Sequence, residues 1–212
     1  IENWDTSNVT DMSKMFHDTE YFNQNISSWD TSKVEDMGSM FNRSKIFNQD
    51  ISSWYVSSVQ NMAYMFADAE LFDYNLNSWN TSKVTNMSGM FYSYSSYAFN
   101  NWWQSLLFDT SSVENMSYMF YWAENFNQNI NWLNTSKVTD MSSMFKYSWF
   151  MNSWLPLTIN TSSVVSMSRM FEYSWFNSDL SSMDTSSVEN MSSMFYWNSQ
   201  FNQDISSWNV SK

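Results

Sequence analysis

The sequence predicts an α/β repeat solenoid, a right-handed coil in which each 25-residue repeat contributes one short helix and one short parallel strand. Three observations predict this fold class. The motif S-x-V-x-x-M-x-x-M-F recurs eight times at a period near 25 residues. Its apolar residues follow the helical period, and the half-repeat after it is turn-prone, with widely spaced apolar anchors.

The repeats are numbered 1 to 8 from the apolar residue that opens each one. All eight keep one Val, two Met and one Phe, and sixteen of the 18 methionines occupy the two Met positions. The whole chain, 1–212, is therefore predicted to be a single tandem-repeat domain, with irregular units at 91–108 and 145–159. The opening residues are Trp4, Trp29, Trp54, Trp79, Phe108, Leu133, Ile159 and Met183.

The motif half of each repeat predicts a short helix. Val9, Met12, Met15 and Phe16 fall at i, i+3, i+6 and i+7, which is one face of an α-helix over about 9–17. In four repeats the Ser before the Val is followed three residues later by Glu or Gln, the spacing of a capping box. A helix this short is marginal alone, so its apolar face is expected to pack in a core.

The other half predicts a turn and then a short strand. Anchors at Phe22, Ile26 and Trp29 suggest an extended segment at 26–29 that pairs with its equivalents in a parallel sheet. A recurring Asn is expected to stack from repeat to repeat and to satisfy backbone groups of the loops. It occurs at Asn23, Asn48, Asn127, Asn177 and Asn202.

Composition argues against several function classes. With 21 acidic and 9 basic residues the net charge is −12, so nucleic acid and anionic membrane surfaces are not expected partners. Cysteine is absent, His17 is the single histidine, and no catalytic residue, cofactor or metal site is predicted. Stacked pairs such as Asp11/Asp36 could hold Ca²⁺, but solvated carboxylates are the favoured interpretation.

Large aromatic residues outside the core positions are the candidate binding surface. Equivalent turns stack along such a coil, so these side chains either form an exposed strip or fold back as additional core. The extra residues near 92–107 are the first place to look for a specific site. The candidates are Tyr92, Tyr94, Tyr97, Trp102, Trp103, Tyr121, Trp122, Tyr147, Trp149, Tyr173, Trp175, Tyr196 and Trp197.

The repeat resembles a known family. W-D-T-S-x-V-x-D-M-S-x-M-F and F-N-Q-D-I-S-S-W, carried here at 30–41, 47–54 and 201–208, are similar to the roughly 25-residue repeats of bacterial surface proteins related to BspA-like leucine-rich repeats. The resemblance implies a leucine-rich-repeat-like solenoid on a secreted or surface-anchored protein, with adhesion or ligand binding and no enzymatic activity. The large aromatics after Met-Phe depart from the small residues usual in the family.

These observations predict a non-enzymatic extracellular or cell-surface module that binds a protein or glycan. Any membrane attachment is expected to come from an anchor outside this segment. The alternative is a structural spacer or a filament subunit whose copies stack end to end. Both ends carry ordinary interior repeat sequence, which suggests that the chain is part of a longer array.

Overall fold

The eight repeats stack on one another in register. A computed structural model describes residues 1–94 and 99–211, apart from the side chain of Trp102. Parallel bridges link the residue before the first Met of each repeat to its equivalent in the next, from Asp11 and Asp36 through to Ser166 and Asn190. The repeats are therefore successive layers of one structure.

The predicted α/β leucine-rich-repeat-like solenoid is wrong. Within the part of the chain that the structure describes, the helical segments are two 3-10 turns, Asn101–Trp103 and Asn152–Trp154, and the parallel bridges are isolated and form no sheet. Among the described residues, the segment 9–17 and its equivalents in the other repeats form no helix. Residues 26–29 form a turn closed by Trp29 N–H donating to the Ile26 carbonyl at 3.2 Å, where a strand was predicted.

The backbone hydrogen bonds explain why no helix forms. In the motif, alternate N–H groups bond within and between repeats: Met15 N donates to the Met12 carbonyl (3.3 Å), whereas Lys14 N donates to Gly38 of the next repeat (2.9 Å). An α-helix would direct every N–H four residues back along its own chain. Here overlapping turns preserve the three-residue spacing of the apolar side chains, while half of the donors hold the stack together.

A left-handed residue recurs at the same place in every motif. The residue before the second Met has a φ between 55° and 59° in all eight repeats, although it is glycine in one of them only. This positive φ belongs to the third residue of a type II turn. Such residues interrupt any right-handed helix. They are Lys14, Ser39, Tyr64, Gly89, Tyr118, Ser143, Arg169 and Ser193.

Asp and Asn side chains close the remaining corners. Ser32, which was predicted to cap a helix, instead donates its backbone N–H to Asp30 Oδ1 at 3.0 Å. The same two-residue arrangement joins Gly38 to Asp36 at 2.7 Å and Ser52 to Asp50 at 3.0 Å. Asx turns of this kind need neither glycine nor proline, so the capping-box prediction is wrong.

The core consists of columns of identical side chains. In repeat 2, Phe41 stacks on Phe47 with ring centroids 3.9 Å apart, and on Phe66 of the next repeat at 5.7 Å. The two Met columns are buried beside them through the interior repeats. The predicted Asn stacking is confirmed, since Asn48 N donates to Asn23 Oδ1 at 2.9 Å. Because these columns fill the interior, the candidate functional residues are those outside the core.

Candidate functional site

Aromatic side chains form a continuous row on one side of repeats 4 to 8. They occupy the first three positions after the Met-Phe pair, where the backbone turns away from the core. The row, as the name is used below, consists of Tyr92, Tyr94, Tyr121, Trp122, Tyr147, Tyr173, Tyr196 and Trp197. All eight were predicted from the sequence as a candidate surface.

Rings at the second position after Met-Phe stack from repeat to repeat along the row. Trp122 stacks on Tyr147 with centroids 4.9 Å apart, Tyr147 on Tyr173 at 4.9 Å, and Tyr173 on Trp197 at 6.0 Å. These four residues are left-handed, with φ between 54° and 60°. One ring per repeat is thus presented at the repeat spacing, and the four rings form one ladder.

The same position is charged in the first repeats. Asp18 and Arg43 occupy it in repeats 1 and 2, where they pair at 2.9 Å. Asp68 follows in repeat 3, where burial raises the pKa of its carboxyl group. A change of residue type therefore divides one side of the stack into a charged part and an aromatic part.

The row is partly sunk into the stack. Tyr92 and Tyr121 stack with centroids 4.6 Å apart and are half-buried, whereas Tyr94, Tyr196 and Trp197 are exposed. Burial raises the pKa of Tyr121 to about 12 and, with a hydrogen bond involving Tyr94, raises the pKa of Tyr92 as well. Tyr92 and Tyr121 are thus partly covered without joining the buried core, and their hydroxyl groups stay protonated at neutral pH.

A buried ion pair lies in the first position after Met-Phe in repeats 6 and 7. Lys146 Nζ is 2.7 Å from Glu172 Oε2, and both side chains are about one-tenth exposed. The same ammonium group lies 5.0 Å from the ring centroid of Tyr147. The ion pair connects adjacent repeats, and the cation–π contact places its ammonium group beside a ring of the row.

A groove opens beside the row across repeats 5 to 8. It has a volume of about 440 Å³ and is lined by three Trp side chains, of which Trp149 and Trp175 were predicted candidates. Glu124 links it to the row, because Glu124 Oε1 accepts a hydrogen bond from Trp122 Nε1 at 3.1 Å. The remaining lining residues are Asn127, Met151, Trp154, Asn177 and Gln200.

Both irregular units contain the same knuckle, a name used here for 100–105 and 151–156. In each, a buried Asn accepts a hydrogen bond from a backbone N–H of the preceding repeat: Asn101 from Leu76 (3.0 Å) and Asn152 from Ile130 (2.9 Å). Each knuckle ends its 3-10 turn on an exposed Trp, Trp103 or Trp154. The shared N-x-W sequence was the signal that could have identified Trp154.

The predicted candidates thus separate into three places. Eight form the row, Trp149 and Trp175 lie in the groove, and Trp103 stands on the first knuckle. Tyr97 and the side chain of Trp102 lie outside the described residues. Sequence reasoning missed Trp154, which occupies in the second knuckle the place of Trp103 in the first, and it missed the polar lining of the groove.

The single histidine lies outside the row, the groove and the knuckles. His17 is remote in sequence from the row and pairs with the neighbouring Asp18, with His17 Nε2 and Asp18 Oδ2 3.1 Å apart. Over residues 1–94 and 99–211, no three His, Asp or Glu side chains cluster so as to hold a metal ion. In the same ranges no helix has the length and apolarity needed to span a bilayer.

Comparison with known proteins identifies one family. The family model described as "Mycoplasma protein of unknown function, DUF285" matches residues 1–103, 96–156 and 157–212, three tandem regions that together span the chain. The tandem matches agree with the repeats, but they do not extend to a BspA-like relationship. Comparisons with curated proteins and with solved structures gave no significant match.

Proposed function

We propose that this chain, which belongs to the DUF285 family of Mycoplasma proteins of unknown function, is a non-enzymatic recognition module that binds a protein or glycan partner through its aromatic row. The observation that carries the proposal is the unbroken ladder from Trp122 to Trp197. Aromatic residues are enriched at the energetic centres of binding interfaces.

Rigidity supports a recognition function. The rings of the row stack on one another, and the Lys146–Glu172 pair lies beside them. Side chains held in place before binding lose little conformational entropy when a partner docks. The tyrosine hydroxyl groups add hydrogen-bonding capacity at the edge of an apolar surface, a combination common at interfaces.

We propose that the module acts outside the cell or at its surface. The resemblance of its motifs to the roughly 25-residue repeats of bacterial surface proteins supports this location. A net charge of −12 disfavours nucleic acid and anionic membrane surfaces as partners. The alternative function, a spacer or self-stacking filament subunit, would need no specific side-chain surface.

The proposal can be tested by giving the row the charged pair of repeats 1 and 2. Tyr173→Asp combined with Trp197→Arg places at these positions the residue types of Asp18 and Arg43, which the same column already accommodates. We expect at least a tenfold loss of binding to extracellular-matrix proteins, measured by surface plasmon resonance. The melting temperature should change little, because both side chains are exposed.

A matched control is Tyr21→Ser, an exposed tyrosine of repeat 1 outside the row. Binding should be retained in this variant. If the row variant bound as tightly as the natural chain, the row would not be the recognition surface. Absence of binding to every partner, with concentration-dependent end-to-end assembly, would favour the filament alternative.

A further inference from the structure

The groove beside the row combines flat aromatic walls with polar amides. Trp149 and Trp175 are each 57% exposed, and Trp154 is 77% exposed, values far above those of the core tryptophans such as Trp54 at 3%. Trp149 and Trp175 precede the second Phe of consecutive repeats, so they are one repeat apart on the same side. Exposure of three large rings in one concavity is costly in water unless a ligand covers them.

The backbone under the two equivalent tryptophans is fixed. Ser148 and Ser174 are buried, and each hydroxyl group donates to the carbonyl of the Met-Phe phenylalanine three residues back, at 2.7 and 2.9 Å. The following phenylalanines stack in the core, with Phe145 and Phe150 centroids 3.9 Å apart. Trp149 and Trp175 therefore stand on rigid supports.

The third wall depends on a strained knuckle. Asn152, Ser153 and Trp154 have φ of 49°, 53° and 65°, an uncommon run for residues other than glycine. The buried Asn152 holds this conformation by donating to the Pro156 carbonyl at 2.8 Å and accepting from Ile130 N at 2.9 Å. Strain of this kind persists where the surroundings impose it, and it clusters at ligand clamps.

The polar lining is oriented by the stack. Asn127 Oδ1 accepts from Met151 N at 2.8 Å, and Asn177 Oδ1 accepts from Asn202 N at 2.8 Å. Each amide is thereby fixed, and neither Nδ2 group has a hydrogen-bond partner among the described residues. Gln200 is exposed at the groove, and Glu124 is the one carboxylate in its described lining, which includes no basic side chain.

We propose that this groove binds a neutral oligosaccharide. A pyranose ring has an apolar face of C–H groups that packs on an aromatic ring and an edge of hydroxyl groups that pairs with amides and carboxylates. A volume of about 440 Å³ lies in the range of small-ligand sites. A sulfated or sialylated chain would be repelled by Glu124 and by the net charge of −12, and the described lining of the groove has no basic side chain to pair with it.

The inference rests on the proposed recognition function but assigns a ligand class to a surface distinct from the row. The test uses the full 212-residue chain on a printed panel of neutral hexasaccharides of glucose, galactose, mannose and N-acetylglucosamine, with sialylated and sulfated counterparts. The strongest neutral binder is then titrated by calorimetry. We expect Trp149→Ala, Trp154→Ala and Trp175→Ala each to weaken that binding at least tenfold.

The matched control is Trp103→Ala, because Trp103 is also 77% exposed and lies on the equivalent knuckle outside the groove. It should bind as the natural chain does, and the Tyr173→Asp/Trp197→Arg variant should retain glycan binding. Thermal melting of every variant separates lost binding from lost folding.

The inference would be overturned by an absence of neutral glycan binding, by tighter binding of the anionic counterparts, or by a loss in Trp103→Ala equal to that in the groove variants. Groove-dependent binding of a peptide in place of sugar would also overturn it. If the groove variants kept glycan binding while the row variant lost partner binding, this inference would fail and the proposed function would remain. If the groove variants lost glycan binding while the row variant kept partner binding, recognition could not be assigned to the row alone.

Discussion

Single polar side chains hold successive repeats together at the second position after the opening residue. Thr135 Oγ1 donates to the Asn160 carbonyl of the next repeat at 2.7 Å, and Thr161 Oγ1 donates to the Asp184 carbonyl at 2.8 Å. Seven of the eight repeats have this threonine, and Val56 replaces it in repeat 3. The sequence motif located these positions, but it did not show that their hydroxyl groups bond between repeats.

Val56→Thr is expected to stabilise the protein. The new hydroxyl group would donate to the Asn80 carbonyl, the acceptor equivalent to those above, and raise the free energy of unfolding by about 0.5–1.5 kcal/mol. The converse change, Thr135→Val, should lower it by about 0.5–1.5 kcal/mol, because it removes the hydrogen bond to the partly buried Asn160 carbonyl. Urea denaturation followed by circular dichroism measures both. A lower stability for Val56→Thr would show that its hydroxyl group finds no acceptor.

At the scale of the element, the burial of the motif's apolar side chains was predicted correctly, but its secondary structure was not. The spacing of Val9, Met12 and Phe16 is shared by an α-helix and by overlapping turns, so the period alone cannot separate them. What decides is the left-handed residue before the second Met and the donors directed to the next repeat. The local signal was weak, because this position holds residues such as Lys14 and Ser39, and the glycine that favours a positive φ occurs in one repeat, at Gly89.

Substitutions at Ser39 test the left-handed turn. Its φ of 55° is accessible to asparagine but costly for a β-branched residue. We expect Ser39→Asn to change the free energy of unfolding by less than about 0.5 kcal/mol and Ser39→Val to lower it by about 1–2 kcal/mol. Glu35→Val is the control, an exposed position without positive φ in the same repeat. Equal losses for Ser39→Val and Glu35→Val would argue for a motif without this turn.

At the scale of the whole molecule, the aromatic surface could be predicted as a set but not as a geometry. Equivalent positions align in stacked repeats, so the members of the row could be predicted from the sequence. The groove could not be found in this way, because Trp154 reaches it from a knuckle and Asn127 enters it as a member of the stacking Asn column. Inserted residues move side chains out of their usual columns. An alignment of the repeats shows that residues were inserted, but it does not show where their side chains lie.

The row predicts a loss of stability at alkaline pH. The pKa of Tyr121, raised to about 12, and the raised pKa of Tyr92 exceed the ordinary value of 10.0. Above pH 10 the unfolded chain releases these protons before the folded one does, so stability present below pH 10 falls as the pH rises toward 12. Urea midpoints between pH 8 and 11 should therefore fall less steeply in Tyr92→Phe/Tyr121→Phe. Parallel curves would mean that these hydroxyl groups titrate equally in both states.

The hydrogen bonds between repeats have a consequence for inheritance. Each motif bonds to the motif one repeat ahead in a constant register, as Lys14 does to Gly38 and Ser39 does to Ala63. Duplication or deletion of a gene segment that encodes one whole period would therefore join two surfaces that already match. Copy number can drift by unequal recombination at little cost to folding, and a knuckle can be gained or lost with its repeat. A lineage can thus vary the reach and the binding surface of such a protein without evolving a new fold.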